Sequence, residues 1–255
     1  MGRKQDKQRE LELFDVQRDH AYDLLDDAFY RFVEDRLHRY APSAMTGVQK
    51  VLEAGCGTGA FGRHFVEALK GQADWNVTGV DLAPAMVEWN RQHPMVGYES
   101  RVGDLEDETL FPPATFDVVL CPMVLHHFPS PSKTIENLVS WLKPGGTFYI
   151  MEPNGSSPVH KLSKFIRHVI EKVMGLDYAK RFATVNETDH SMKCYVRELT
   201  TRGCEISYRE ARRVMGSSEL GSWIGWVRHI LYKITSVLPQ PYHGNLLLVI
   251  ARKKP

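Results

Sequence analysis

The chain has 255 residues, of which 43% are apolar and 25% are charged, with 32 basic residues against 31 acidic ones. This composition is typical of a globular protein and excludes collagen-like, low-complexity and wholly disordered classes. A net charge of +1 provides no overall field that would attract nucleic acid. The length suits one large domain, and we expect a single domain over residues 1–255.

The cysteines, the N-terminus and the apolar runs together predict a cytoplasmic protein. Cys56, Cys121, Cys194 and Cys204 show neither CxxC nor His/Cys ligand spacing, so we expect free thiols and no metal site. The charged start MGRKQDKQRE leads into no apolar segment, which argues against a signal peptide. No apolar run reaches the roughly 18 residues that a membrane-spanning helix needs.

Hydrophobic spacing predicts the elements in chain order. Residues 7–40 have helical periodicity, and Pro42 and Gly47 end this region. Short apolar runs then alternate with helical stretches. We predict strands at 48–54, 75–81, 96–102, 116–121 and 145–152, and helices at 59–70, 84–93 and 132–142. This alternation is typical of a parallel sheet with helices on both faces, so the predicted fold class is α/β.

The second half of the chain is less regular. We predict a basic helix at 158–174, a helix capped by Asn186 or Thr188 that ends at Gly203, a strand at 205–214, a helical region at 217–238 and a final strand at 244–254. Residues 48–152 form the core in this interpretation, and 1–45 form an N-terminal helical lid. The segments 153–186 and 216–243 are cap insertions.

A glycine loop, VLEAGCGTGAFG (51–62), joins the first strand directly to a helix. Its glycines permit positive φ and close approach of a ligand, and the helix N-terminus suits a carboxylate or phosphate. GCGTGA also fits the dinucleotide pattern, and Asp81 follows Gly59 by 22 residues, where it could bind ribose hydroxyls. The loop alone therefore fits either a dinucleotide such as NAD or another ribose-bearing ligand, and a tight turn without a ligand is the third alternative.

Three further features separate these alternatives. Glu53 lies in the strand before the loop, where a carboxylate suits a cationic ligand and would repel a pyrophosphate. Asp104, in GDLED, ends the third strand and could accept a hydrogen bond from an adenine amino group. LKPGG (142–146) ends a helix and turns into the fifth strand.

Five ordered motifs carry a resemblance to a known family. They are LEAGCGTG (52–59), GVDLAPAMV (79–87), GDLED (103–107), FDVVLCPMVLHHF (116–128) and LKPGG (142–146). In order and spacing they resemble class I S-adenosylmethionine-dependent methyltransferases, most closely the small-molecule, methyltransferase type 11 branch that includes ubiquinone and menaquinone-type enzymes. The resemblance implies a Rossmann-like, doubly wound, seven-stranded sheet of order 3-2-1-4-5-7-6, with an antiparallel last strand and helical cap elements.

The resemblance also implies S-adenosylmethionine as cofactor and a set of cofactor contacts. The methionine end would lie against Glu53, Gly55 and Gly57 and near Cys121, the ribose on Asp81, and the adenine against Leu82, Met86, Asp104 and Leu105. Cys56, Gly59 and Tyr22 complete the expected cofactor contacts. Ala83 replaces the Ser or Thr that often caps the next helix, so we expect a weaker cap. Tyr22, Phe29 and Tyr30 on the N-terminal helix would either close over the cofactor or form a docking face.

Four residues at strand ends are candidates for catalysis. His126 and His127 follow the fourth strand, at the edge where open α/β sheets bind ligands, and either could be a general base or merely line or pack the pocket. Glu152 and Asn154, in EPNG, could orient a hydroxyl or an amine, or stabilise a turn. His160 and His190 are either surface histidines or substrate contacts.

Two basic amphipathic stretches, 158–174 and 222–238, have apolar stripes flanked by Lys, Arg and His. Packing on the core explains such stripes most simply. A lid for a hydrophobic substrate or a peripheral membrane contact is the alternative, and nucleic acid is the least favoured partner.

Together these features predict methyl transfer from S-adenosylmethionine to a small, partly hydrophobic acceptor, such as a natural-product or lipid-linked intermediate. Oxygen is favoured over nitrogen or carbon as the accepting atom. Two alternatives remain from sequence: an NAD-dependent oxidoreductase, which shares the glycine loop, and a non-catalytic cofactor-binding or interaction protein.

Overall fold

The computed structural model describes residues 5–17, 27–40, 47–162, 186–212 and 244–255, with a few isolated positions between the last three ranges. Seven strands form one sheet: β1 (Val48–Ala54), β2 (Asp74–Asp81), β3 (Tyr98–Val102), β4 (Phe116–Pro122), β5 (Leu142–Pro153), β6 (Cys204–Arg212) and β7 (Leu246–Lys253). Their order is β3-β2-β1-β4-β5-β7-β6, and β7 runs antiparallel to both of its neighbours. The sheet order and the antiparallel last strand implied by the resemblance are confirmed.

Burial along each strand follows its place in the sheet. The central strands carry continuous apolar runs, such as VVLC in β4 and LLLVIA in β7, and these residues are buried. The edge strands β3 and β6 instead alternate between exposed and less exposed positions. A strand covered on both faces needs apolar residues at every position, whereas an edge strand needs them at alternate positions.

Helices cover the two faces of the sheet. The described helices are α1 (Lys7–Gln17), α2 (Asp27–Tyr40), α3 (Ala60–Ala68), α4 (Pro84–Gln92), α5 (Ser132–Trp141) and α6 (Met192–Thr200), with a short 3-10 turn at Leu125–His127. Two apolar clusters result: α5 and α6 pack on one face of the sheet, and α2 and α3 pack on the other. None of the helices in the described ranges is long and apolar enough to cross a membrane.

Several predicted boundaries need correction. The described residues of the helical region 7–40 belong to two helices, α1 and α2, and β5 begins at Leu142 instead of 145. The α6 helix is capped by Ser191, whose Oγ accepts a hydrogen bond from the Cys194 N–H, and not by Asn186 or Thr188. The Asn186 side-chain amide instead forms hydrogen bonds with the backbone N–H and C=O of Asp6, just before α1.

Some predictions fall where the structure gives no description. Most of the stripe at 222–238 and most of the cap insertion 216–243 lie outside the described residues. The same holds for most of the basic helix at 158–174, which is helical over 158–162. Tyr22 also lies outside them. Phe29 and Tyr30 belong to α2, but their side chains are not among those described.

Candidate functional site

A cavity of about 300 Å³ lies at the carboxyl ends of the parallel strands, where open α/β sheets bind ligands. Most of its wall comes from the carboxyl ends of the parallel strands, the loops that follow β1, β2, β3 and β4, and the first turns of α3 and α4. The helix α1 and Gln5, just before it, contribute the rest. Eleven predicted site residues line it: Glu53, Gly55, Cys56, Gly57, Asp81, Leu82, Met86, Asp104, Leu105, His126 and His127. Residues that are distant in sequence thus share one cavity, as their positions after neighbouring strands predict.

The glycine loop requires glycine for measurable reasons. Gly55, Gly57 and Gly59 have φ of +60°, +50° and +71°, a region that L-residues with side chains rarely adopt. A Cβ on Gly55 would lie 2.2 Å from Val124 Cγ2, and one on Gly59 would lie 2.5 Å from the Tyr98 hydroxyl. Gly59 therefore serves close packing beside the cavity, whose wall it does not reach.

The Asp81 carboxylate ties the loop to the end of β2. Its Oδ2 accepts a hydrogen bond from the Gly57 N–H at 2.7 Å, and its Oδ1 accepts one from the Ala83 N–H at 2.9 Å. Ala83 provides no side-chain cap for α4, so Asp81 satisfies one of the free N–H groups there. Burial raises the pKa of Asp81, although these backbone hydrogen bonds lower it.

Glu53 is a buried carboxyl group, 1% exposed, at the centre of the site. It accepts hydrogen bonds from the Gly62 N–H at 2.8 Å and from the Tyr98 hydroxyl at 2.7 Å. Burial raises the pKa of Glu53 to about 7, even though both hydrogen bonds favour the charged form. A cation bound beside this carboxyl would compensate its charge.

Asp104 is held between its own loop and the N-terminal helix. Its Oδ1 accepts a hydrogen bond from the Glu106 N–H at 2.9 Å, and its Oδ2 pairs with the Lys7 ammonium. Lys7 also lies 3.1 Å from Glu106. The helix α1 is thereby anchored to the loop predicted to bind adenine.

His126 and Glu152 form a hydrogen-bonded pair. Glu152 is fully buried, and its Oε1 accepts hydrogen bonds from the Val124 and Leu125 N–H groups at 2.8 and 2.6 Å. Its Oε2 lies 2.8 Å from His126 Nδ1. Burial alone would lower the pKa of His126, but the Glu152 carboxylate raises it. Glu152 does not line the cavity, so its contact with a ligand there would be through the histidine.

His127 lies against His126, with 4.1 Å between ring centroids. Its Nδ1 is 3.3 Å from Glu10 Oε2, and the Phe14 ring packs edge-on against it. Both partners belong to α1, so this histidine joins the helix to the cavity.

The remaining predicted residues have contacts of their own. Asn154 donates to the Gly244 carbonyl at 3.2 Å and accepts from the Ser156 N–H at 3.0 Å, which favours the alternative of a stabilised turn. His160 pairs with Asp189 at 3.1 Å, and the His190 Nε2 lies 2.8 Å from the Phe128 carbonyl. Cys121 is buried in β4 behind the cavity wall, and burial raises the pKa of its thiol.

Sequence analysis missed the residues through which α1 closes one side of the cavity. Gln5, Glu10, Leu11 and Phe14 line it, although the predicted lid residues were Tyr22, Phe29 and Tyr30. Tyr98 and Asn90 were also missed; Asn90 donates to the Gly57 carbonyl at 2.8 Å. No local pattern marks these residues, because each acts across a long stretch of chain.

Comparison with known proteins identifies the family of this chain. A family model described as a methyltransferase domain matches residues 24–191. A ubiquinone biosynthesis O-methyltransferase of Xanthomonas campestris is 27% identical over 202 residues, which cover 78% of this chain and 70% of that protein.

Two solved structures share the fold. An S-adenosylmethionine-dependent methyltransferase from Mesorhizobium loti has a TM-score of 0.58 at 18% identity and covers 86% of this chain and 96% of its own. A putative methyltransferase from Bacillus halodurans has a TM-score of 0.59 at 19% identity, and the match covers 87% of this chain and 99% of that protein. The glycine loop alone fits a dinucleotide as well as S-adenosylmethionine, and the family match favours S-adenosylmethionine. This chain belongs to the methyltransferase domain family.

Proposed function

We propose that this methyltransferase transfers the methyl group of S-adenosylmethionine to a hydroxyl oxygen of a small, partly apolar acceptor. The observation that carries the proposal is one cavity lined by the Glu53, Asp81 and Asp104 carboxyl groups and by His126, which Glu152 holds from behind the cavity wall. The carboxyl groups suit the cofactor, and the histidine suits an acceptor that must lose a proton.

The residues present fit S-adenosylmethionine. The buried Glu53 carboxyl, with its pKa raised to about 7, favours a ligand that brings positive charge. Asp81 keeps acceptor capacity for ribose hydroxyls, because a carboxylate has about four lone-pair sites and two backbone N–H groups use only part of them. Leu82 and Met86 line the same cavity and offer apolar contacts for an adenine ring.

The protein's own contribution to catalysis is alignment and proton removal. S-adenosylmethionine supplies a methyl group that is already activated by its positively charged sulfur. Positioning an acceptor oxygen in line with that methyl group accounts for much of the rate. His126 holds Nδ1 toward Glu152, which leaves Nε2 free of that contact and able to take the hydroxyl proton as the oxygen forms its new bond to carbon.

The cavity wall supports a partly apolar acceptor. Leu11, Phe14, Met123 and Phe128 line it near the two histidines. The name of the Xanthomonas relative, an O-methyltransferase of ubiquinone biosynthesis, agrees with oxygen as the accepting atom. A phenol or a related hydroxyl on an apolar body, including a lipid-linked one, fits these walls.

The proposal is tested by methyl transfer and by ligand binding. The purified protein is incubated with S-adenosylmethionine carrying a labelled methyl group and a panel of phenols, from phenol to 4-octylphenol, with matching anilines alongside. We expect label on oxygen and a preference for the longer alkyl chains. Calorimetry should show S-adenosylhomocysteine binding that Asp81→Ala weakens, because Asp81 holds the loop and faces the cavity.

His126→Asn tests the base. We expect kcat to fall about 10²–10⁴-fold, the usual contribution of general base catalysis, with S-adenosylhomocysteine affinity unchanged. His93→Asn is the matched control, because His93 is exposed and stacks on Trp89, away from the cavity lining. Label on anilines alone would overturn the choice of oxygen, and full activity of His126→Asn would overturn the assignment of the base.

A further inference from the structure

The basic stretch predicted at 158–174 presents apolar side chains to solvent. Its described residues, 158–162, 164, 165 and 169, are helical. Leu162, Phe165 and Val169 are 45%, 64% and 41% exposed. Residues three and four positions apart are neighbours on a helix surface, so these side chains share one face. We call the three of them the outer face.

The opposite side of this helix carries charge and faces the protein. His160 Nε2 lies 3.1 Å from Asp189 Oδ2, and Lys164 Nζ lies 2.5 Å from the same oxygen. With about 3.6 residues per turn, His160 and Lys164 lie on the side of the helix opposite the outer face. A surface helix usually buries its apolar stripe and turns its charges to water, and here the two are exchanged. Packing on the core therefore accounts for Val159, which is buried, and not for the outer face.

The segment that holds the helix in this rotation also supports the acceptor side of the cavity. Thr188 donates its N–H to the His126 carbonyl at 2.7 Å. Asp189 follows directly and pairs with His160 and Lys164. Burial alone would raise the pKa of Asp189, but its hydrogen bonds with these two side chains lower it, which favours the charged carboxylate. The outer face thus belongs to a helix that is tied through two adjacent residues to the loop of His126.

Positive charge is concentrated in this stretch, although the whole chain has a net charge of only +1. Residues 158–174 contain one acidic residue, Glu171, and four that are always basic: Lys161, Lys164, Arg167 and Lys172. Lys161 is exposed, one position before Leu162 and four before Phe165. An apolar helix face with basic residues beside it is complementary to an anionic lipid surface.

A second stretch of the same character adjoins the first. Residues 222–238 contain two basic residues and no acidic one. The Asn154 N–H donates to the Asn245 carbonyl at 2.9 Å, and its Nδ2 donates to the Gly244 carbonyl at 3.2 Å. The chain therefore enters the first stretch and returns from the second at one point, the carboxyl end of β5. Around the second stretch, the described apolar side chains that are half exposed or more are Ile230, Val237 and Tyr242.

We propose that the outer face is a docking surface for an anionic lipid bilayer. Its three apolar side chains enter the boundary between head groups and acyl chains, and Lys161 pairs with lipid phosphates. A second copy of this chain is disfavoured as the occupant, because it would bring two basic stretches together. Docking through this face brings the loop of His126 close to a bilayer that can hold apolar acceptors. Only this last consequence rests on the proposed function; the docking itself does not.

Co-sedimentation with vesicles tests the surface. The full chain is mixed, without substrate, with vesicles of phosphatidylcholine alone or with about one third phosphatidylglycerol. We expect binding to the mixed vesicles, little binding to phosphatidylcholine alone, and weaker binding as salt screens the charges. Phe165→Ser should bind the mixed vesicles about tenfold more weakly, because an apolar side chain is lost from the interface. Val96→Ser is the matched control, because Val96 is exposed and lies before β3, at the far edge of the sheet, and it should bind like the parent.

Two further pairs of variants examine the charge and the depth of docking. Lys161→Gln should bind about fivefold more weakly, the usual contribution of one basic residue near an anionic surface. Lys70→Gln, which changes an exposed lysine just after α3, should bind like the parent. In Phe165→Trp, lipids brominated on their acyl chains should quench part of the tryptophan fluorescence that they do not quench in Val96→Trp.

Several results would overturn the docking surface. They are failure of the parent to bind the mixed vesicles, parental binding by Phe165→Ser, and equal quenching in Phe165→Trp and Val96→Trp. A parent that sediments as a dimer without lipid, when Phe165→Ser is a monomer, would assign the outer face to a second copy instead. An unchanged melting temperature of Phe165→Ser excludes loss of the fold as the cause of weak binding.

Methyl transfer separates this inference from the proposed function. Without vesicles, Phe165→Ser should methylate a water-soluble phenol at the parental rate, because Phe165 does not line the cavity. If the parent methylates no phenol, the proposed function fails, while vesicle binding still decides whether the outer face docks on lipid.

Discussion

Replacing Glu53 by glutamine should stabilise the cofactor-free protein at alkaline pH and weaken cofactor binding at the same time. The Glu53 carboxyl is buried, and burial raises its pKa to about 7 from an ordinary 4.5. Glutamine keeps an oxygen for the Gly62 N–H, and its NH₂ group can donate to the Tyr98 hydroxyl oxygen, so the local structure is retained.

The sign and size of the stability effect follow from proton linkage. Because the folded pKa is above the unfolded one, the folded state binds the proton more tightly, and stability is lost as pH rises from the unfolded toward the folded pKa. A shift from 4.5 to about 7 corresponds to about 3 kcal/mol at 1.36 kcal/mol per pH unit. Glutamine does not titrate. The free energy of unfolding of Glu53→Gln, measured relative to that of the parent, should therefore increase by about 2–3 kcal/mol between pH 5 and pH 8.

Urea unfolding of both proteins without ligand, at pH 5, 6, 7 and 8, measures this difference directly. Glu99→Gln is the matched control, because Glu99 lies next to Tyr98 on β3 with an exposed side chain, and its curve should run parallel to the parent. Calorimetry with S-adenosylmethionine should show that Glu53→Gln binds at least tenfold more weakly at pH 8. A stability difference that stays constant with pH would refute the argument from burial.

Two further predictions concern other parts of the chain. In Glu152→Gln the acid limb of the kcat profile should move to lower pH, because Glu152 raises the pKa of His126 and the remaining burial lowers it; kcat itself should fall at least tenfold. A pH–rate profile checks both, and an unmoved limb would contradict the pairing. Ser191→Ala removes the cap of α6 and should cost about 1 kcal/mol of stability, seen as a melting temperature about 2–4 °C lower, with activity unchanged. Replacement of Thr188, one of the two caps predicted from sequence, should not reproduce that loss.

The part of the site that sequence predicted is the part that local order determines. Glu53, Asp81 and Asp104 each lie at or just after the end of a parallel strand, and such ends meet at one edge of a sheet. The order of strands and helices along the sequence therefore predicts that these three residues share one cavity. The glycines at 55, 57 and 59 were predictable for the same reason, since a strand that turns at once into a helix needs positive φ.

The contribution of α1 could not be predicted in this way. Glu10 meets His127 across 117 positions of sequence, and Asn186 meets Asp6 across 180. Asn186 carries a residue type that commonly caps helices, and the local pattern favoured that role. Ser191 provides the cap, and Asn186 binds α1 instead. Docking of one segment on another depends on the whole packed surface, which a local window of sequence does not contain.

The charge of the cavity bears on which ligand it takes. Among the described residues, four carboxyl-bearing side chains line it: Glu10, Glu53, Asp81 and Asp104. Lys7 balances the last of these from outside, and His127 faces the first. At Glu53 and Asp81 burial raises the pKa, and each raised value is a measure of unfavourable negative charge in that environment. A pyrophosphate would add to this charge and a sulfonium with an ammonium group would offset it, so the same glycine loop that fits a dinucleotide is placed among residues that disfavour one.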